Sequence, residues 1–209
     1  MNKKINIDKD HYYTQRNNPQ VVGDNPDIEG DKDFILNANS QCMPTSYVMF
    51  LIGNKIEYVN PTGKPDDAYF AELLVAKEAW KFAKKKYPSL IENGYSPNEI
   101  HGMYGSYLSP VVCGKRVSDF VSNLTFEDYV SRILSGQVIM TSGRFRGIIG
   151  HAFVIMGIID DHLSLADPWG DYRTDYVNKN GYAVSMDRED FITHVKPIGK
   201  ERKWGHIII

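Results

Sequence analysis

Residues able to form a nucleophilic centre are scarce in this 209-residue sequence, which holds two cysteines, Cys42 and Cys113, and six histidines. Cys42 stands in Asn39-Ser40-Gln41-Cys42-Met43-Pro44-Thr45-Ser46-Tyr47-Val48-Met49-Phe50-Leu51, where a polar segment turns abruptly apolar. Pro44 has the fixed φ of a first helical turn, and Thr45 or Ser46 can serve unpaired amides there. A helix is therefore predicted from Cys42 to near Gly53-Asn54, a C-terminal signal. At its start, free N–H groups and the helix dipole favour a thiolate over a thiol. A thiolate is the form that attacks a carbonyl carbon. Alone, Cys42 reads first as a small apolar residue at a helix cap, so partners must decide its role.

A cysteine nucleophile needs a base, a group that orients the base, and donors for an oxyanion. His151 opens the apolar run Gly150-His151-Ala152-Phe153-Val154-Ile155-Met156-Gly157, and Asp167 follows the run Leu163–Ala166. If Asp160-Asp161 forms the turn between two antiparallel strands, the start of one lies beside the end of the other. His151 and Asp167 then meet at the open end of the hairpin. The carboxylate fixes the imidazole tautomer and leaves the other nitrogen for Cys42. Singly, His151 is a strand-edge histidine and Asp167 a turn residue before Pro168. Their order behind a helix-capping cysteine favours the catalytic reading. Cys113, in Ser109-Pro110-Val111-Val112-Cys113-Gly114, has no helix-start pattern and reads as a buried structural residue.

These residues require helices first and strands second. Pro65-Asp66-Asp67 opens a helix in which Phe70, Leu73, Leu74, Trp80, Ala83 and Tyr87 recur at helical spacing until Pro88. Ser96-Pro97-Asn98-Glu99 is a capping box before a short helix to about Tyr107. Thr125-Phe126-Glu127-Asp128 starts another, which Gly136 closes. Strands are predicted over Gln137–Ser142, Gly150–Ile159 and Leu163–Ala166. Two more, Asp171–Val177 and Tyr182–Met186, flank a hairpin turn at Asn178-Lys179-Asn180-Gly181. A helical turn at Asp187–Phe191 and a strand at Trp204–Ile209 complete an α+β arrangement. Residues 1–14 read as an extended arm and 15–40 as a long loop.

Composition fits one soluble domain spanning residues 1–209, with 42% hydrophobic and 24% charged residues. A net charge of −2 argues against a nucleic-acid binder. Lys84-Lys85-Lys86 and the segment from Lys196 to Lys203 read as solvated faces, with the alternative that either helps hold an anionic surface. Asp24, Asp27, Glu29, Asp31 and Asp33 fail the spacing of a calcium loop, since Leu36 stands where the closing glutamate is needed. Two cysteines give neither a disulfide framework nor a zinc site, and no metal or cofactor is expected. Met1-Asn2-Lys3-Lys4-Ile5-Asn6 is not a secretory signal, and the longest apolar run is too short to span a bilayer. Cytoplasmic synthesis without membrane insertion is expected.

Taken together, the ordered pieces resemble the papain-like cysteine peptidases, and more closely the C-39-like family. They are Tyr12-Tyr13-Thr14-Gln15-Arg16-Asn17-Asn18, Cys42-Met43-Pro44-Thr45-Ser46-Tyr47-Val48-Met49, Gly150–Gly157, and Ala166-Asp167-Pro168-Trp169-Gly170-Asp171. Asn180-Gly181 through Glu189-Asp190-Phe191 is similar to a segment of phage-borne members. Residues 55–135 carry little of the likeness, and Met43-Pro44 stands where many relatives have glycine. The resemblance implies Cys42 as nucleophile, His151 as general base and acid, and Asp167 as the orienting residue. It implies a glutamine upstream of the cysteine as oxyanion donor beside the Cys42 amide. Gln15 matches the family's tyrosine–glutamine motif, and Gln41 is the other candidate.

The function expected is a monomeric cysteine hydrolase of peptide or amide bonds. Its sharpest form is a phage endolysin released to the cell wall at lysis and acting on peptidoglycan stem peptides. Tyr12, Tyr13 and Trp169 are candidate substrate-binding aromatics; the alternative is that they are core residues. A protein- or leader-processing peptidase is the nearest rival, followed by a non-catalytic binding module on the same fold. Acyl transfer uses the same triad and differs only in its acceptor.

Overall fold

A computed structural model describes residues 3–24, 34–145, 148–196 and 203–209, and among these described residues it has nine strands and a series of helices. The strands are β1 (Lys3–Ile5), β2 (Val21–Gly23), β3 (Phe34–Leu36), β4 (Ser118–Leu124), β5 (Ile139–Phe145), β6 (Ile148–Ile159), β7 (His162–Ala166), β8 (Tyr182–Met186) and β9 (Lys203–Ile208). A seven-stranded sheet runs in the order β4-β9-β5-β6-β7-β8, with β1 beside β6. Its described pairings are antiparallel, and β2 with β3 forms a separate ribbon. The fold is therefore α+β.

β6 is apolar on both faces because both are covered. Ala152, Val154 and Met156 face the cluster built around α1 (Cys42–Gly53), while Phe153 and Ile155 face a second cluster. α1 is buried from Met43 through Leu51, which explains a helix without a polar side. Around it lie α2 (Asp66–Val75), α3 (Lys77–Lys86), α4 (Pro88–Glu92) and a helical run, α5, through His101–Met103, Tyr104–Leu108 and Ser109–Cys113. On the other face, Tyr129 and Ile133 of α6 (Phe126–Leu134) and Phe191 of α7 (Arg188–His194) cover the sheet. The sheet is thus sandwiched between helical layers.

Three local expectations are corrected. The helix predicted from Asp66 to Tyr87 breaks at Ala76, whose ψ is 156°. There the Val75 carbonyl accepts the Asp24 amide at 3.0 Å instead of continuing the helix. The strand predicted over Asp171–Val177 is a 3-10 turn, Tyr172–Thr174, followed by Asp175 and Tyr176 at φ of 50° and 61°. The Asp171 carboxylate nucleates it by accepting from the Arg173 amide at 3.0 Å, so β8 pairs with β7 rather than with its own preceding segment. The short helix expected to end near Tyr107 continues to Cys113 through a π-helical stretch. β4 and the β2–β3 ribbon were not foreseen from the sequence. The acidic residues 25–33 and most of the basic segment, 197–202, lie outside the described residues. Among the described residues no helix is long and apolar enough to cross a membrane.

Candidate active site

Cys42 is the first residue of α1 and is partly exposed. The first helical bond runs from the Thr45 amide to the Gln41 carbonyl at 3.1 Å. The Cys42 and Met43 amides precede that bond and have no intrahelical acceptor, while Pro44 has no N–H to leave unpaired. The hydroxyls expected to cap this end do otherwise. Thr45 donates to Asp67 Oδ2 at 3.2 Å, and Ser46 Oγ is buried without a partner.

The β6–β7 turn pairs Ile159 with His162, and the ladder runs back to Val154 opposite Ala166. Past that point His151 Nε2 meets Asp167 Oδ1 at 2.6 Å, with the two side chains 3% and 0% exposed. Cys42 is the other neighbour close enough to act on the His151 charge. Burial alone disfavours the imidazolium. The charge and hydrogen bond of Asp167, then Cys42, outweigh it and raise the His151 pKa to about 10. With Nε2 engaged, Nδ1 is the nitrogen left for the thiol.

Asp167 is itself held from several sides. Its Oδ1 also accepts the Trp169 amide at 2.8 Å, and its own amide donates to the Gly181 carbonyl at 2.9 Å. Tyr12 donates to the Asp167 carbonyl at 2.7 Å and accepts the Gly181 amide at 3.1 Å. Asp167 Oδ2 and the Tyr176 hydroxyl are both buried without a well-formed hydrogen bond. They are neighbours: burial first, then the Asp167 charge, pushes the Tyr176 phenol far above its ordinary pKa.

Cys42 and His151 open into a cleft of about 930 Å³. Aromatic side chains of Phe34, Trp80, Tyr95 and Trp204 line it, together with Ser142, His101 and Lys196. His101 Nδ1 lies 3.3 Å from His206 Nε2, and burial pushes the pKa of both rings down, which makes them weaker bases than an ordinary imidazole.

Among the residues singled out by sequence, the structure brings together Cys42, His151 and Asp167, with Tyr12 and the Trp169 amide bonded to Asp167. The Gln15 amide donates to the Ala38 and Asn39 carbonyls at 2.9 and 3.1 Å; Asn39 lines the cleft, Gln15 itself does not. Gln41 donates to the Pro19 and Leu36 carbonyls at 2.8 and 3.2 Å. Gln15 thus binds the turn Ala38–Ser40 that leads into α1, and Gln41 binds the segments before it. Tyr13 donates to Asp66 at 3.3 Å, and Trp169 stacks under the Arg16 guanidinium at 3.7 Å, so neither lines the cleft. Cys113 is half-buried rather than fully buried, and burial raises its pKa to about 11.

Sequence reasoning missed most of the cleft wall. Trp80 and Tyr95 look like core aromatics in helical surroundings, and no local pattern marks Lys196. Among the described residues no cluster of three or more His, Cys, Asp or Glu could hold a metal ion. Comparisons with known proteins return no matching family model, curated protein or solved structure.

Proposed function

We propose that the chain is a papain-like cysteine hydrolase of peptide or amide bonds, with Cys42 as nucleophile, His151 as general base and acid, and Asp167 as the orienting residue. The observation that carries this reading is the buried 2.6 Å His151–Asp167 hydrogen bond directed at a partly exposed thiol on a helix N-terminus. In the proposed cycle the Cys42 sulfur attacks the carbonyl carbon and His151 gives its proton to the leaving amine. Water then attacks the thioester, with His151 taking the water's proton and the thiol leaving. The first-turn amides of α1, those of Cys42 and Met43, are the donors best placed for the oxyanion, given how Gln15 and Gln41 are engaged.

The narrower substrate reading is a peptidoglycan stem peptide, as in an endolysin. It draws on the phage-type segment from Asn180 to Phe191 and on a cleft broad enough for a branched chain. Wild type, Cys42→Ala and Cys113→Ala are compared on bacterial cell walls and on casein, with new termini identified. Loss of turnover in Cys42→Ala alone is expected. Equal activity of wild type and Cys42→Ala refutes the nucleophile, and cleavage of casein with intact walls refutes the endolysin reading.

A further inference from the structure

The cleft carries a cation that the proposed chemistry does not use. Lys196 lines it at the His151 end: a Cβ built on Gly150 would lie 3.5 Å from Lys196 Nζ. Its backbone is fixed on both sides. The Lys196 amide donates to the Ser142 carbonyl at 3.0 Å, and the Trp204 amide donates to the Lys196 carbonyl at 3.4 Å. Among the described residues no hydrogen bond or ion pair engages its ammonium group. The charged groups around it are not counterions. Arg144 is a second cation, and His101 is a neutral ring.

Burial, then the Arg144 charge, lowers the Lys196 pKa, so this ammonium is held where its charge is disfavoured. Among the described lining residues the one carboxylate is Glu99, and Ser96 occupies it through its amide at 2.9 Å and its hydroxyl at 2.5 Å. A half-buried cation with a like-charged neighbour gains most from an anion that arrives with the ligand. We propose that Lys196 is a specificity residue that binds a carboxylate carried by the substrate beside the bond attacked by Cys42. This rests on the hydrolase reading and narrows it to substrates with a free α- or side-chain carboxylate next to the scissile amide.

Two alkylating agents of nearly equal size test it, iodoacetate with a carboxylate and iodoacetamide without one. Their rates at Cys42 are followed by mass spectrometry of its peptide in the full chain, for wild type, Lys196→Met and Lys196→Arg. The iodoacetate-to-iodoacetamide rate ratio is expected to fall about tenfold in Lys196→Met, the order for losing a hydrogen bond to a charged group. Lys196→Arg is expected to restore it. An unchanged ratio in Lys196→Met overturns the carboxylate site while leaving the nucleophile standing. If iodoacetamide does not label wild-type Cys42 in preference to Cys113, the hydrolase reading falls and the carboxylate site falls with it.

Discussion

Asp167→Asn removes the charge behind the His151 proton while keeping the volume of the side chain. In the wild type His151 sits at about 10 against an ordinary 6.5, even though its burial pulls the other way. Removing one partner of a buried ion pair costs about 3 kcal/mol, or roughly two pK units. His151 in Asp167→Asn is therefore expected to titrate about two units lower or further, since burial then acts with less opposition. In the proposed cysteine–histidine pair His151 then holds its proton less tightly, so alkylation of Cys42 by iodoacetamide near neutral pH should slow by up to about 100-fold. The titration is read from nitrogen-15 histidine resonances, with His151 identified by its loss in His151→Ala. Stability follows the same group. A folded-state pKa above the unfolded one stabilises fully below about 6.5 and less as pH rises through about 10, so the wild-type melting temperature should drop across that window. Asp167→Asn should flatten this drop. A His151 titration unchanged in the variant, or alkylation at the wild-type rate, would refute the assignment of Asp167 as the group that holds the proton.

Gly181→Ala places a methyl group against the Asp167 carbonyl oxygen and close to the Tyr12 hydroxyl, in backbone that cannot retreat. It should lower the melting temperature and the rate of Cys42 alkylation together; a variant as stable as wild type would show that this approach is not tight. Gln15→Ala removes two hydrogen bonds to the turn before α1, and urea titration should show a loss of about 1–3 kcal/mol. Turnover per folded molecule should change less than about tenfold, whereas an oxyanion donor would cost about 100-fold or more in kcat.

The cluster of Cys42, His151 and Asp167 was legible because each member sits in a local pattern. Cys42 begins a helix that Pro44 announces, and His151 and Asp167 border strands joined by one short turn. The apolar run of β6 also read as a strand, and the structure covers it on both faces. What stayed hidden depends on distant partners. Gln15 matched a motif, yet its amide is claimed by carbonyls more than 20 residues away, which spacing alone does not reveal. Asp171–Val177 looked like a strand from its composition, but one carboxylate bonding two residues ahead outweighed that propensity. Lys196 looked like part of a solvated basic run because nothing local says that its neighbours form a cleft.

The place of β9 bears on the order in which the molecule comes together. β9 follows β4 and β5 in the chain, yet it lies between them, and its Trp204 carbonyl accepts from both Tyr129 and Thr141. During synthesis α1, with Cys42 at its tip, emerges long before the strand that joins the two parts of the sheet. Until β9 inserts, β4 and β5 present open edges, the cleft lacks its Trp204 wall, and Lys196 lacks one of its two backbone tethers. Unpaired edges of this kind recruit other strands, and contacts so distant in sequence form slowly. Cys42 is therefore made early and housed late, and the interval between the two is when the chain is most exposed to wrong partners.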